Sequence, residues 1–143
     1  MEAKITHLGE AQFEIQIRNH TLICDQPEAD GGYNEGPTPP EFLLASLGSC
    51  AAYYAAEYLR TRKLPADGLT VKVIAGKAKN PSRLDQFKIE IDLTEPLLQQ
   101  MGDRHRDGIL RAANACLIHN TLTHPPEISI TLVGAPEKAD CAA

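Results

Sequence analysis

The sequence has no C-x-x-C pair and only four cysteines, Cys24, Cys50, Cys116 and Cys141, in 143 residues. A structural zinc site and a disulfide-built scaffold are therefore not expected. No apolar run approaches the roughly 20 residues of a membrane span. The opening Met1-Glu2-Ala3-Lys4-Ile5-Thr6 lacks the basic start and apolar stretch of a signal peptide. Positive charge is also in short supply: a net charge of −5 argues against a general binder of nucleic acid or anionic membranes. Gly31, Gly32 and Gly36 are followed by no Gly-Lys-Ser/Thr, so they form no P-loop. Ser46 and Ser49 sit in no G-x-S-x-G elbow, and His7, His20, His105 and His124 are scattered without ligand spacing. The expectation is a cytoplasmic enzyme or binding protein with neither a metal nor a cofactor. Its length suits one domain, placed at residues 1–133, with a flexible tail over 134–143.

Three short strands are read at Ile5 to Leu8, Phe13 to Ile17 and Thr21 to Cys24, the middle one alternating apolar with polar. A turn-rich loop from Asp25 to Pro37 follows, and long loops in compact domains are often functional. Thr38-Pro39-Pro40-Glu41 then spells a capping box with proline in the first turn. From it runs a helix over about residues 39–63, roughly 38 Å long. Leu43, Leu47, Cys50, Tyr54 and Tyr58 mark its apolar stripe, and its charge-poor middle suits packing between a sheet and another helix. Leu69 to Lys77 and Phe87 to Leu93 alternate as an antiparallel hairpin. A short helix over Glu95 to Met101, a longer one from Asp103 to His119 and a last strand through Ile128, Ile130 and Leu132 complete the chain. The order β-β-β-α-β-β-α-α-β indicates an α+β fold.

Cys50 and Cys116 each fall on the apolar face of an expected helix, where free cysteine is commonly a packed residue. Cys24, near a strand end, reads as packed, and Cys141 lies in the tail. The segment Gly36-Pro37-Thr38-Pro39-Pro40-Glu41-Phe42-Leu43-Leu44-Ala45-Ser46-Leu47-Gly48-Ser49-Cys50 resembles the helix-opening signature of the OsmC/Ohr-like family. Ala115-Cys116-Leu117-Ile118-His119-Asn120-Thr121-Leu122 resembles that family's second-cysteine segment, and the element order agrees over about residues 3–133. The resemblance implies an intertwined homodimer with long apolar central helices and sites at the subunit interface. It also implies thiol chemistry on a hydroperoxide, with Cys50 as the peroxidatic and Cys116 as the resolving residue. An external thiol, of dithiol or lipoyl type, would reset the pair. An apolar helix face suits an organic hydroperoxide or another apolar small molecule.

One part of the pattern does not carry over. In the family's peroxidase branches an Arg from the preceding loop and a Glu ten residues before the first cysteine activate the thiolate. Here Pro40 stands ten before Cys50, Glu41 stands nine before it and reads as a helix cap, and the loop from Asp25 to Pro37 has no Arg. The chain therefore resembles the less characterised OsmC-like branch. Glu57 and His119 lie near the two cysteines but read as a solvated or interface carboxylate and a helix-end residue. Arg104-His105-Arg106, flanked by Asp103 and Asp107, reads as a solvated turn of helix rather than an anion site. Three functions stay open: a thiol-dependent peroxidase, a non-catalytic small-molecule-binding or redox-sensing protein, and a general thiol–disulfide or sulfur-handling protein.

Overall fold

The computed structural model describes residues 1–134; the expectations for the tail and for Cys141 lie outside them. Strands β1 (Lys4–Gly9), β2 (Gln12–Ile17) and β3 (His20–Cys24) form an antiparallel sheet in chain order. Pairs such as Ile5 with Ile15, and Ile15 with Leu22, put the apolar residues of all three strands on one face. The loop that follows leads into α1 (Pro39–Thr61). Strands β4 (Thr70–Lys79) and β5 (Ser82–Asp92) pair antiparallel, Val71 opposite Ile91 and Val73 opposite Ile89. The ladder shifts register between Ile74 and Gly76, ending the regular alternation there. Helices α2 (Glu95–Gln100), α3 (Asp103–Asn114) and α4 (Leu117–Thr123) complete the described elements.

The capping box forms as the sequence spells it. The Glu41 carboxylate accepts the Thr38 backbone N–H at 2.7 Å and the Thr38 hydroxyl at 2.8 Å. From this start α1 packs on β4 along one side and on α3 and α4 along another. Its fully buried residues are Leu47, Gly48, Ala51, Ala55 and Leu59, a stripe rotated from the one through Cys50, Tyr54 and Tyr58 that the bulkier residues suggest. The rotation has a steric cause, since small residues let the helix axis approach its neighbours. A Cβ at Gly48 would lie 2.9 Å from the Val73 Cγ2 methyl. At the other end of α1, Ala55 and Leu59 join Leu93, Leu97, Met101 and Ile109 in the main hydrophobic cluster.

Two expected elements differ. The single helix from Asp103 to His119 is broken: Ala115 ends α3 and Cys116, with extended backbone (φ −67°, ψ 146°), becomes the N-cap of α4. The cap draws on side-chain chemistry that periodicity does not register, because the Cys116 sulfur accepts the His119 N–H. The strand expected through Ile128, Ile130 and Leu132 belongs to no ladder among the described residues, and these side chains are exposed. Alternation creates an apolar face, but a strand also needs an edge to pair with, and no described strand pairs with that segment.

Leu59 has no exposed surface and sits at the centre of the main cluster. Leu59→Ala is expected to cost about 2–5 kcal/mol in unfolding free energy. Urea denaturation followed by circular dichroism checks this; a loss under about 1 kcal/mol would place the core elsewhere.

Candidate active site

Cys50 stands in the middle of α1, half-buried, three residues after Leu47. Cys116 opens α4 and is fully buried. The packing of α4 on α1 brings the two thiols near enough for Cys50 to influence Cys116, and both are free. Residues 66 positions apart thus form one sulfur pair, with one member reachable from solvent and the other enclosed.

The environment treats the two sulfurs differently. Burial pushes the Cys116 thiol above its ordinary range; the N–H of His119, at 3.2 Å, offsets part of this, and the neighbouring Cys50 thiol adds to it. Cys116 therefore keeps its proton at neutral pH. A cleft of about 510 Å³ opens between α1, β5 and α4, lined by Leu47, one turn before Cys50, and by Leu84, Phe87, Ile89, His119 and Leu122 among others. Its walls are largely apolar, as small-molecule sites usually are.

The other candidate residues are occupied elsewhere. Glu41 lies nine residues before Cys50, about 13 Å along the helix axis, and both its partners belong to Thr38. Those hydrogen bonds hold its carboxyl below the usual range. Glu57 is bound by Arg60 at 2.5 and 2.8 Å, which likewise lowers its carboxyl. His119 reaches the pair through its backbone N–H, while its side chain lines the cleft. No group of three or more His, Cys, Asp and Glu among the described residues is arranged to hold a metal.

Sequence reasoning passed over Asp25, which appears there only as the first residue of a loop. Its side chain is fully buried and accepts N–H groups from Gln26 (2.7 Å), Tyr33 (3.1 Å) and Glu35 (3.2 Å), with the Gln12 amide at 3.4 Å. Its own N–H donates to the Pro37 carbonyl at 3.3 Å, closing the loop just before the capping box. Burial alone would raise this carboxyl, but the converging donors outweigh it and the net shift is downward. Next to it, burial and the Asp25 charge push the Cys24 thiol up, so Cys24 is an inert packed thiol. The signal that could have found Asp25 is a carboxylate followed by a Gly-Gly turn, too common to single out.

The family model described as OsmC-like protein matches residues 32–131, more than half of the chain. The chain belongs to the OsmC-like family. Solved OsmC-like relatives share its fold at low identity. A candidate osmotic stress induced and detoxification response protein from Psychrobacter arcticus is 22% identical, with a TM-score of 0.72 over 83% of this chain and 85% of that one. An OsmC like protein from Mycoplasma pneumoniae is 19% identical, with a TM-score of 0.60 over 86% and 88%. An organic hydroperoxide resistance protein OsmC from Legionella pneumophila is 16% identical, with a TM-score of 0.55 over 85% and 87%. No curated protein matches the sequence. The OsmC-like assignment covers the helix opening, Cys50 and Cys116 alike.

Because the folded Asp25 carboxyl lies below its unfolded value, its contribution to stability is present above about pH 4. It is lost as the pH falls through the folded pKa. Asp25→Asn is expected to lower Tm by at least about 5 °C at pH 7 and to flatten the fall in Tm between pH 6 and 3. Parallel acid profiles for the variant and the parent chain would remove Asp25 from the acid response.

Proposed function

We propose that the protein is a thiol-dependent peroxidase-like enzyme that reduces organic hydroperoxides through Cys50 and Cys116. The observation that carries this reading is the juxtaposition of a half-buried thiol and a fully buried one on neighbouring helices, beside an apolar cleft. The Cys50 thiolate attacks the terminal oxygen of R–O–OH; the O–O bond breaks, the alkoxide takes a proton to leave as alcohol, and Cys50 becomes a sulfenic acid. The Cys116 thiol then attacks that sulfur. Its proton leaves with the departing hydroxide as water, and a Cys50–Cys116 disulfide forms. An external dithiol, of lipoyl or similar type, supplies two electrons and two protons to restore both thiols. Burial gives Cys116 the resolving part, since a protonated, enclosed thiol does not compete for peroxide. Free thiols of this kind suit a reducing compartment, in keeping with a cytoplasmic location. No helix of the described residues is long and apolar enough to cross a membrane.

A specific observation favours a second reading, a non-catalytic small-molecule-binding or redox-sensing protein. Glu41 is committed to the helix cap and the loop before α1 carries no Arg, so Cys50 lacks the family's activating pair. One experiment separates the two. Reduced protein is mixed with cumene hydroperoxide and a dithiol, and peroxide loss is followed beside Cys50→Ser and Cys116→Ser. Enzymatic loss is expected for the parent chain, with Cys50→Ser falling to the rate of dithiol alone. Cys116→Ser should still consume peroxide in a single turnover while forming no intramolecular disulfide. Parent-chain loss no faster than the dithiol, with no Cys50–Cys116 disulfide by mass spectrometry, selects the second reading.

A homodimer belongs to the same proposal. Ile5, Phe13 and Leu22 stand exposed on one face of the β1–β3 sheet, and Ile128, Ile130 and Leu132 stand exposed beyond α4. A second copy would cover the first group and offer the second a strand edge. Light scattering on the eluted protein should give about twice the 15.6 kDa chain mass; a monomer at micromolar concentration excludes the dimer.

A further inference from the structure

Tyr58 and Arg62 at the end of α1, with Arg104, His105, Gly108 and Arg111 of α3, enclose a second cavity of about 430 Å³. It lies apart from the cysteines: Tyr58 follows Cys50 by eight residues, about 12 Å along the helix axis. Three exposed arginines line it in a chain whose net charge is −5.

Two ion pairs form among the described residues, Arg60 with Glu57 and Lys88 with Glu90. Arg62, Arg104 and Arg111 have no carboxylate partner within 4.0 Å among the described residues, although Asp103 and Asp107 adjoin in sequence. Positions 104, 108 and 111 share one helix face; 103 falls about 100° from 104, while 107, three residues after 104 and four before 111, adjoins that face without pairing with either arginine. The reading of Arg104-His105-Arg106 as a solvated turn therefore changes once Arg62 and Arg111 stand beside it. Arg104 also occupies the first turn of α3, where the helix dipole disfavours positive charge, and Asp103 supplies one offset. Arg62 and Arg111 lie instead at helix C-termini, where the dipole favours cations, so the cluster's remaining cost is mutual repulsion, which an anion would relieve.

The cavity is also shaped. The Arg62 guanidinium carbon stacks 3.7 Å over the Tyr58 ring centroid, and its Nη1 donates to the Tyr58 carbonyl and the Thr61 hydroxyl. These contacts hold the fork in place and leave Nε and Nη2 without an intramolecular acceptor. The Tyr58 hydroxyl meets His105 Nδ1 at 3.3 Å, leaving the other ring nitrogen uncommitted. Gly108 permits the arrangement, since a Cβ there would land on the Tyr58 ring.

We propose that this cavity binds the phosphate group of a small phosphorylated molecule or of free phosphate. A tetrahedral dianion offers three oxygens to three guanidinium forks, whereas a carboxylate offers two. The site is independent of the thiol chemistry at Cys50 and Cys116.

The test is isothermal titration calorimetry of the reduced full chain with sodium phosphate and with adenosine monophosphate, at fixed ionic strength. Both are compared in Arg104→Gln/Arg111→Gln and in a control, Lys4→Gln/Arg18→Gln, that removes the same charge from the β1–β3 sheet. Circular dichroism verifies that each variant is folded. Saturable binding is expected, at least tenfold weaker in the cavity variant and unchanged in the control. Tighter binding of the nucleotide identifies an ester as the source, and tighter binding of phosphate identifies the free anion. No binding of either at about 10 mM, or equal weakening in both variants, overturns the proposal.

Discussion

The long helix Pro39–Thr61 can lie close to β4 and α3 only because the residues turned toward them are small. Gly48, Ala51 and Ala55 are buried in sequence along one line, flanked by Leu47 and Leu59. Bulkier side chains there would push the helix away from its neighbours, and the cost of overpacking is typically about 1–3 kcal/mol. Close approach places Cys50 at the edge of the contact rather than in its centre. It also brings α4 against α1, so that Cys116 is buried and meets Cys50. The same packing joins Tyr58 and Arg62 to α3 at the other end. Both the thiol pair and the cationic cavity are consequences of how tightly one helix is held.

That helix is aimed by the loop before it. Asp25 gathers three backbone N–H groups and the Gln12 amide, and the loop closes on the Pro37 carbonyl immediately before Thr38. A buried carboxylate with this many donors stays ionised, and neutralising it leaves a donor-rich site with less to bind. The loop so arranged contains no cation for Cys50, and Glu41 serves the cap.

Much of the fold was legible because its signals are local. Alternation through Phe13, Ile15 and Ile17 marks β2, and Thr38 with Glu41 marks the start of α1 to the residue. The end of α3 was not legible, because Ala113 and Cys116 keep helical spacing across the break. Nor was the unpaired state of Ile128, Ile130 and Leu132, whose alternation is genuine but which pair with no strand among the described residues. In the candidate site, Cys50 and Cys116 could be singled out by motif, whereas Asp25 could not, since one aspartate before a glycine turn carries no distinctive pattern.

By itself the sequence determined strands β1 to β5, the capped start of the central helix, the absence of an Arg in the preceding loop and the order of two cysteine motifs. Each depends on neighbours within a few residues, where periodicity, capping and composition act. Tertiary structure decided which face of α1 is buried, that Cys116 is enclosed while Cys50 is half-exposed, and that Arg62, Arg104 and Arg111 share one cavity. Those outcomes join residues tens of positions apart. They follow from side-chain volume and the approach of packed helices, which no local pattern encodes.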